Sequence, residues 1–199
     1  GIIHPIPENI SYEEATLSEP ASSVIASQGN SDISLGDTVV IIGDGPIGCL
    51  HLEVARARGA STIIMIGLTR LEIARTFQPD YLIDAASQNP VQEVLKITSD
   101  LGADVAIIAN PVAETQEQGA EMVRKRGKII IFGGVSKLNP MTTLNSNLIH
   151  YNELSIAGSF SYPPVAHEMA LKLISEGKIE AKRFISKVIS LEEINEGFS

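Results

Sequence analysis

Thr38-Val39-Val40-Ile41-Ile42 runs without a break into Gly43-Asp44-Gly45-Pro46-Ile47-Gly48, and the reading of these eleven residues decides the fold. An apolar, β-branched run predicts a strand, and the GxGxxG after it opens a helix. The first glycine permits a tight turn, the second lets the backbone approach a pyrophosphate, and the third lets helix and strand pack closely. Unpaired amides and the helix dipole at such a turn stabilise phosphate charge. Pro46 suits the first helical position, where its missing N–H would have had no intrahelical partner. Asp44 is an unexpected occupant, because a carboxylate beside a pyrophosphate adds repulsion, and it is expected to point outward. A bare strand-to-helix turn with no ligand is the other reading of the same glycines.

Downstream of this turn, β-branched runs alternate with amphipathic stretches. The strand candidates are Thr38–Ile42, Thr62–Ile66, Tyr81–Ile83, Asp104–Ile108, Lys128–Phe132 and Leu154–Ala157. Helical patterns fall at Pro46–Arg58, Arg70–Phe77, Pro90–Ser99, Glu114–Arg124 and Leu144–His150. The strands read as continuous apolar runs, as burial on both faces requires. This predicts an α/β fold: a Rossmann-type, doubly wound, parallel six-stranded sheet in the order 3-2-1-4-5-6, with helices on both faces. Ser11 with Glu14 forms a capping box that opens a helix running to about Ser27, and Ser190 with Glu193 repeats the device. Residues 1–30 are therefore read as a leading helical region, 31–160 as the nucleotide-binding domain, and 161–199 as a C-terminal helix and return segment. The polar stretch Gln28–Gly36 marks the first boundary.

The 199 residues can bury one substantial core. Apolar runs such as Thr62–Leu68 stop far short of the ~18 residues of a membrane span. Gly1–Asn9 has two prolines and no basic stretch ahead of an apolar one, so it does not read as a signal peptide and a cytoplasmic location is expected. The single cysteine, Cys49, excludes an internal disulfide framework and any site built from several thiolates. A net charge of −9 argues against a nucleic-acid partner. The basic run Arg124-Lys125-Arg126 is read as a solvated helix end, where cations interact well with the dipole.

With these motifs in place the chain resembles the cofactor-binding domain of the zinc-dependent medium-chain alcohol dehydrogenase/reductase family, in particular its sorbitol (polyol) and threonine dehydrogenase branch. The resemblance spans essentially the whole chain. It is carried by Leu17-Ser18-Glu19-Pro20, by Gly36-Asp37-Thr38-Val39 leading into the glycine turn, and by Gly127-Lys128 ahead of Ile129–Gly134. It continues through Asn152–Phe160, similar to the segment that delivers a loop to the nicotinamide, and Phe184–Phe198, similar to the return into the catalytic domain.

The resemblance implies an NAD(P)-linked alcohol or polyol dehydrogenase, EC 1.1.1.-. Its chemistry is hydride transfer between a secondary alcohol and nicotinamide C4, with zinc polarising the oxygen. The chain corresponds to a family member without roughly its first two-fifths. Its flanks are accordingly expected to be remnants of a catalytic domain, and the piece alone to be inactive, with no catalytic residue of its own. The implied cofactor contacts are Gly43, Gly45, Pro46, Ile47, Gly48, Gly67, Thr69, Arg70, Asn110, Gly133, Gly134, Ser159 and Phe160. Glu19 corresponds to the acidic residue at the zinc in the polyol branch; an ordinary helix carboxylate is the plainer reading. Cys49, His51 and His150 are read as packing or surface residues.

NAD-specific members carry an Asp or Glu at the end of the second strand, about 20 residues past the glycine turn, bonded to the ribose hydroxyls. Here that position is Gly67, with Thr69 and Arg70 just beyond it. With no carboxylate to repel a 2′-phosphate, NADP(H) is favoured over NAD(H). The expected partners are a small alcohol or polyol and, through the edge strand around Ile156, further copies of the chain, with no membrane. Two other readings stay open: a stand-alone nucleotide-binding module without catalysis, and a zinc-free quinone or enoyl reductase of the same superfamily.

Overall fold

A computed structural model describes residues 3–198; Gly1, Ile2 and Ser199, the outer ends of the two flanks, lie outside the described residues. The six strands are β1 (Thr38–Ile42), β2 (Thr62–Gly67), β3 (Tyr81–Asp84), β4 (Ala103–Ile108), β5 (Val123–Ile131) and β6 (Ser155–Gly158). They form one sheet in the order β3-β2-β1-β4-β5-β6, and every pairing is parallel. This is the order of the doubly wound dinucleotide fold that the alternation of strands and helices matches, although the alternation does not itself display the order.

The central strands are buried on both faces. Val39, Ile41, Ile63, Met65, Val105 and Ile107 point to one side, where Cys49, Leu52 and Ala55 of α3 (Pro46–Arg58) and Ala74 of α4 (Leu71–Thr76) cover them. Val40, Ile42, Ile64, Ile66, Ala106 and Ile108 point to the other, packed on Val94 of α5 (Pro90–Ile97) and on Ala120 and Met122 of α6 (Ala113–Met122). Side chains alternate across a strand, so one continuous apolar run fills two cores. α7 (Ser146–Tyr151) packs against the second of them through Leu148.

The flanks form a further layer over α3. Ala21, Val24 and Ile25 of α2 (Ser18–Gly29) and Ala166, Ala170 and Ile174 of α8 (Pro164–Ser175) enclose Leu50 and Val54. The leading helix is not the single element expected. Ser11 and Glu14 do form the reciprocal capping box, but it opens only the short α1 (Tyr12–Ala15), and α2 begins afresh at Ser18. Likewise Ser190 and Glu193 make their box at the head of a 3-10 turn, Leu191–Glu193, that leads into α9 (Ile194–Gly197).

The basic run needs correction. α6 ends at Met122, and Arg124-Lys125-Arg126 lies in the irregular first half of β5, not at a helix end. Arg124 Nε is 2.5 Å from Asp104 Oδ1, and Arg126 Nε is 2.8 Å from Glu153 Oε2. Lys125 Nζ stands 3.7 Å from Glu153 Oε1, so all three cations face acids of neighbouring segments. The boundary segment is also less loose than its composition suggests: Gln28 is wholly buried at the end of α2, donating through Nε2 to the His51 carbonyl at 2.7 Å.

Candidate functional site

The site is built where β1 ends. Gly43 takes φ +135°, and a Cβ there would lie 2.9 Å from the Ala109 carbonyl oxygen, so the position needs glycine twice over. Its N–H donates to Ile66 O at 2.9 Å, tying the turn to β2. Gly45 is the N-cap of α3, with Pro46 at the first helical position. That helix end has no side-chain cap and no acidic residue in its first turn, so its dipole and leading amides are left to an incoming anion. A Cβ on Gly45 would meet a single neighbour within 4 Å, Arg70 Nη1 at 3.6 Å. Bare backbone on the open side of a turn is what a diphosphate requires. Gly48 closes the turn from below, where a Cβ would fall 1.9 Å from Gly43 O.

Asp44 overturns its expected placement. It is 9% exposed and points inward, toward the end of β2, where its Oδ2 accepts hydrogen bonds from the amides of Leu68 (2.9 Å), Thr69 (2.9 Å) and Arg70 (2.5 Å). Burial pushes its pKa up. The amides of Arg70, Leu68, Asp44 itself and Thr69 more than offset that, and the group sits below the usual aspartate value. A side chain at Gly67 would collide with it, the Asp44 Cβ and Oδ2 both lying 2.7 Å from a Cβ there. The signal for this arrangement was a pair, an acid inside the glycine turn and a missing acid at the strand end, and read singly neither residue reveals it.

The other implied cofactor contacts divide. Asn110 and Gly133 meet at the ends of β4 and β5, where a Cβ on Gly133 would lie 2.1 Å from Asn110 O. The Asn110 carboxamide oxygen accepts from Val112 N and Thr115 Oγ1, fixing the loop into α6. Gly134 has open space around its Cβ position. Ser159 N donates to Ile131 O, extending the β5–β6 ladder, and Phe160 is fully exposed. Both line a cavity of about 810 Å³ with Ile25, Val54, Tyr162 and Met169, and no residue of the 43–48 turn borders it. The structure gathers Gly43–Gly48 and Gly67–Arg70 at the ends of β1 and β2, while Ser159 and Phe160 border the cavity beside α2 and α8.

Glu19 is exposed in the first turn of α2. Among the described residues no three His, Cys, Asp or Glu side chains gather as a metal would need, and a protein zinc site takes three or four such ligands. Zinc does not fit the described residues by themselves. Cys49 is buried and its thiol is pushed up to about 11 by that burial, then by the Glu53 and Asp44 charges. His51 is buried against the edge of Phe132, and burial lowers its pKa to about 3. Both are packing residues, as the sequence suggests.

Strand order and glycine turn together define a doubly wound α/β protein of the Rossmann type. The family described as "Zinc-binding dehydrogenase" matches residues 46–176, and the chain belongs to it. Over 192 residues the chain is 34% identical to the sorbitol dehydrogenase of Bacillus subtilis (strain 168), covering 94% of this chain and 53% of that protein. Among solved structures, alcohol dehydrogenase TADH from Thermus sp. ATN1 superposes with a TM-score of 0.91 at 28% identity, covering 98% of this chain and 56% of that one. A proposed zinc-binding dehydrogenase from Sinorhizobium meliloti 1021, bound to NADP, gives 0.87 at 30% identity, covering 96% and 56%. The chain spans about half the length of the curated relatives it matches. No helix among the described residues is long and apolar enough to cross a membrane.

Proposed function

We propose that this chain is the cofactor-holding part of a zinc-dependent, nicotinamide-linked dehydrogenase acting on a secondary alcohol or polyol. One observation carries the reading: the turn Gly43–Gly48 offers uncovered backbone and an uncapped 13-residue helix to an anion. Gly43, Gly45, Pro46, Ile47 and Gly48 would hold the diphosphate. Gly67, Thr69 and Arg70 would face the adenosine ribose, and the loops at Asn110 and Gly133–Gly134 would border the path toward the nicotinamide. A dinucleotide held there would supply the nicotinamide as hydride acceptor for the alcohol, and these residues would bind and orient it. Ser159 and Phe160 are kept as contacts at the nicotinamide end on the strength of the family resemblance alone.

The substrate class is that of the relatives, among them a sorbitol dehydrogenase. Glu19 is assigned to the zinc sphere on the resemblance, with the other ligands outside the described residues. Residues 1–30 and 161–199 are read as segments that pass between the nucleotide domain and a catalytic domain, and association of whole protomers through β6 as the oligomeric arrangement. The expectation of NADP(H) rests on Arg70, whose guanidinium lies over Gly45. The premise that no carboxylate stands at the end of β2 is not met, because Asp44 brings one there. The choice of cofactor form then turns on Asp44.

Titration with NADH, monitored by nicotinamide fluorescence, tests the reading. Saturable binding that Gly45→Val abolishes is the expected result, since a branched side chain would stand where the diphosphate lies. Failure of both NADH and NADPH to bind the unaltered protein would overturn it. Metal analysis of the full-length protein separates the zinc enzyme from a zinc-free reductase of the same superfamily.

A further inference from the structure

Rossmann domains that take NAD use a carboxylate at the end of the second strand as acceptor for the ribose hydroxyls. In this chain the strand ends in Gly67, and the volume a side chain there would fill is shared by Asp44, whose Cβ and Oδ2 stand 2.7 Å from the Gly67 Cβ position, and the end of the Leu71 side chain at the same distance. We propose that Asp44, reaching across from inside the glycine turn, replaces the strand-end acid and makes the site select NAD(H) and reject NADP(H). The inference rests on the dinucleotide reading of the 43–48 turn.

Three features carry it. The first is the filling of the anion cradle. A 2′-phosphate at this corner would look to the amides of the turn 68–70 for its hydrogen bonds, and all three already converge on Asp44 Oδ2 at 2.5–2.9 Å. The second is charge. Those amides hold the carboxyl ionised against its burial, so a 2′-phosphate would be placed beside a fixed negative charge of low solvent exposure. A ribose hydroxyl, by contrast, is a donor and finds an acceptor. The third is the direction of Arg70. Its Nη1 lies 3.6 Å from the Gly45 Cβ position, above the second glycine of the turn. There its charge meets the diphosphate, which both cofactor forms share, so Arg70 adds affinity without adding preference.

The pairing is self-consistent in sequence as well. An acid at position 44 excludes any side chain at 67, and a glycine at 67 leaves room for that acid. Asp44 is thus a specificity-determining residue for the cofactor, one that a reading of the strand end alone does not consider.

Isothermal titration of the full-length protein with NADH and NADPH in turn tests the inference. The unaltered protein should bind NADH at least tenfold more tightly than NADPH. Asp44→Asn keeps an oxygen for the amides and removes the charge, and should narrow that ratio by roughly tenfold, mainly through tighter NADPH binding. A purely structural Asp44 would weaken both ligands alike and leave the ratio unmoved. Arg70→Ala should weaken both by a similar factor. Should D44N loosen the turn, the double variant Asp44→Gly with Gly67→Asp moves the carboxylate back to the strand end and should retain the NADH preference. A preference of the unaltered protein for NADPH, an unchanged ratio in a folded D44N, or loss of NADH preference in the double variant each overturns the role of Asp44. Binding of neither nucleotide overturns the dinucleotide reading itself.

Discussion

Gly48 stands so close beneath Gly43 that a Cβ on the former would fall 1.9 Å from the carbonyl oxygen of the latter. The contact is between a helix and the backbone of the turn that launches it, so neither partner can move without unmaking the bend. Gly48→Ala should therefore cost about 3 kcal/mol of stability, at the upper end of ordinary overpacking, and abolish dinucleotide binding together. Urea unfolding and a fluorescence titration on the same sample check both, and an alanine variant of unchanged midpoint would show that the turn is softer than its geometry indicates.

His51 gives the fold an acid-sensitive spot. Its pKa falls from 6.5 to about 3 through burial, so between those values the unfolded chain binds a proton that the folded chain refuses. Stability from this residue is complete above pH 6.5 and is lost as pH falls toward 3. From pH 7 to pH 5 the loss should be about 2 kcal/mol. Denaturation midpoints at the two pH values should show this slope in the unaltered protein and lack it in His51→Leu.

Glu53 illustrates a buried carboxylate held for its acceptor rather than its charge. Burial raises its pKa, the Glu180 amide and the Arg183 charge oppose the rise, and the Glu180 N–H bonds its Oε2 at 2.9 Å. Glu53→Gln keeps an acceptor and sheds the buried charge, so its thermal midpoint at pH 7 should be no lower than that of the unaltered protein. Glu53→Leu strands the Glu180 amide and should cost about 1–3 kcal/mol. Equal losses in both variants would mean that the charge itself matters.

Cys49 should be inert in the native state. Its thiol is 1% exposed and pushed up to about 11, and the thiolate is the reactive form. A disulfide reagent at pH 8 should react only at the rate of unfolding, accelerating with denaturant. Rapid stoichiometric labelling of the folded protein would show that α3 opens more readily than its packing implies.

The sequence alone determined the sheet and the turn. Runs such as Thr38–Ile42 and Thr62–Gly67 are apolar throughout because both faces of a central parallel strand are covered, and that property is local enough to be read residue by residue. The bounds of α3 came out at Pro46 and Arg58 because proline and glycine fix both ends by their own backbone preferences. Only the tertiary structure decided the contacts between residues distant in the chain. Asp44 meets the amides of 68–70 because β1 and β2 pair with Ile42 beside Ile66, a register no local pattern specifies. Arg124 and Arg126 lie in β5 rather than at a helix end, and there they face Asp104 and Glu153, residues distant in the chain. Local propensity sets what each segment is, while the side chains that segments exchange across the sheet set what the cofactor site will accept.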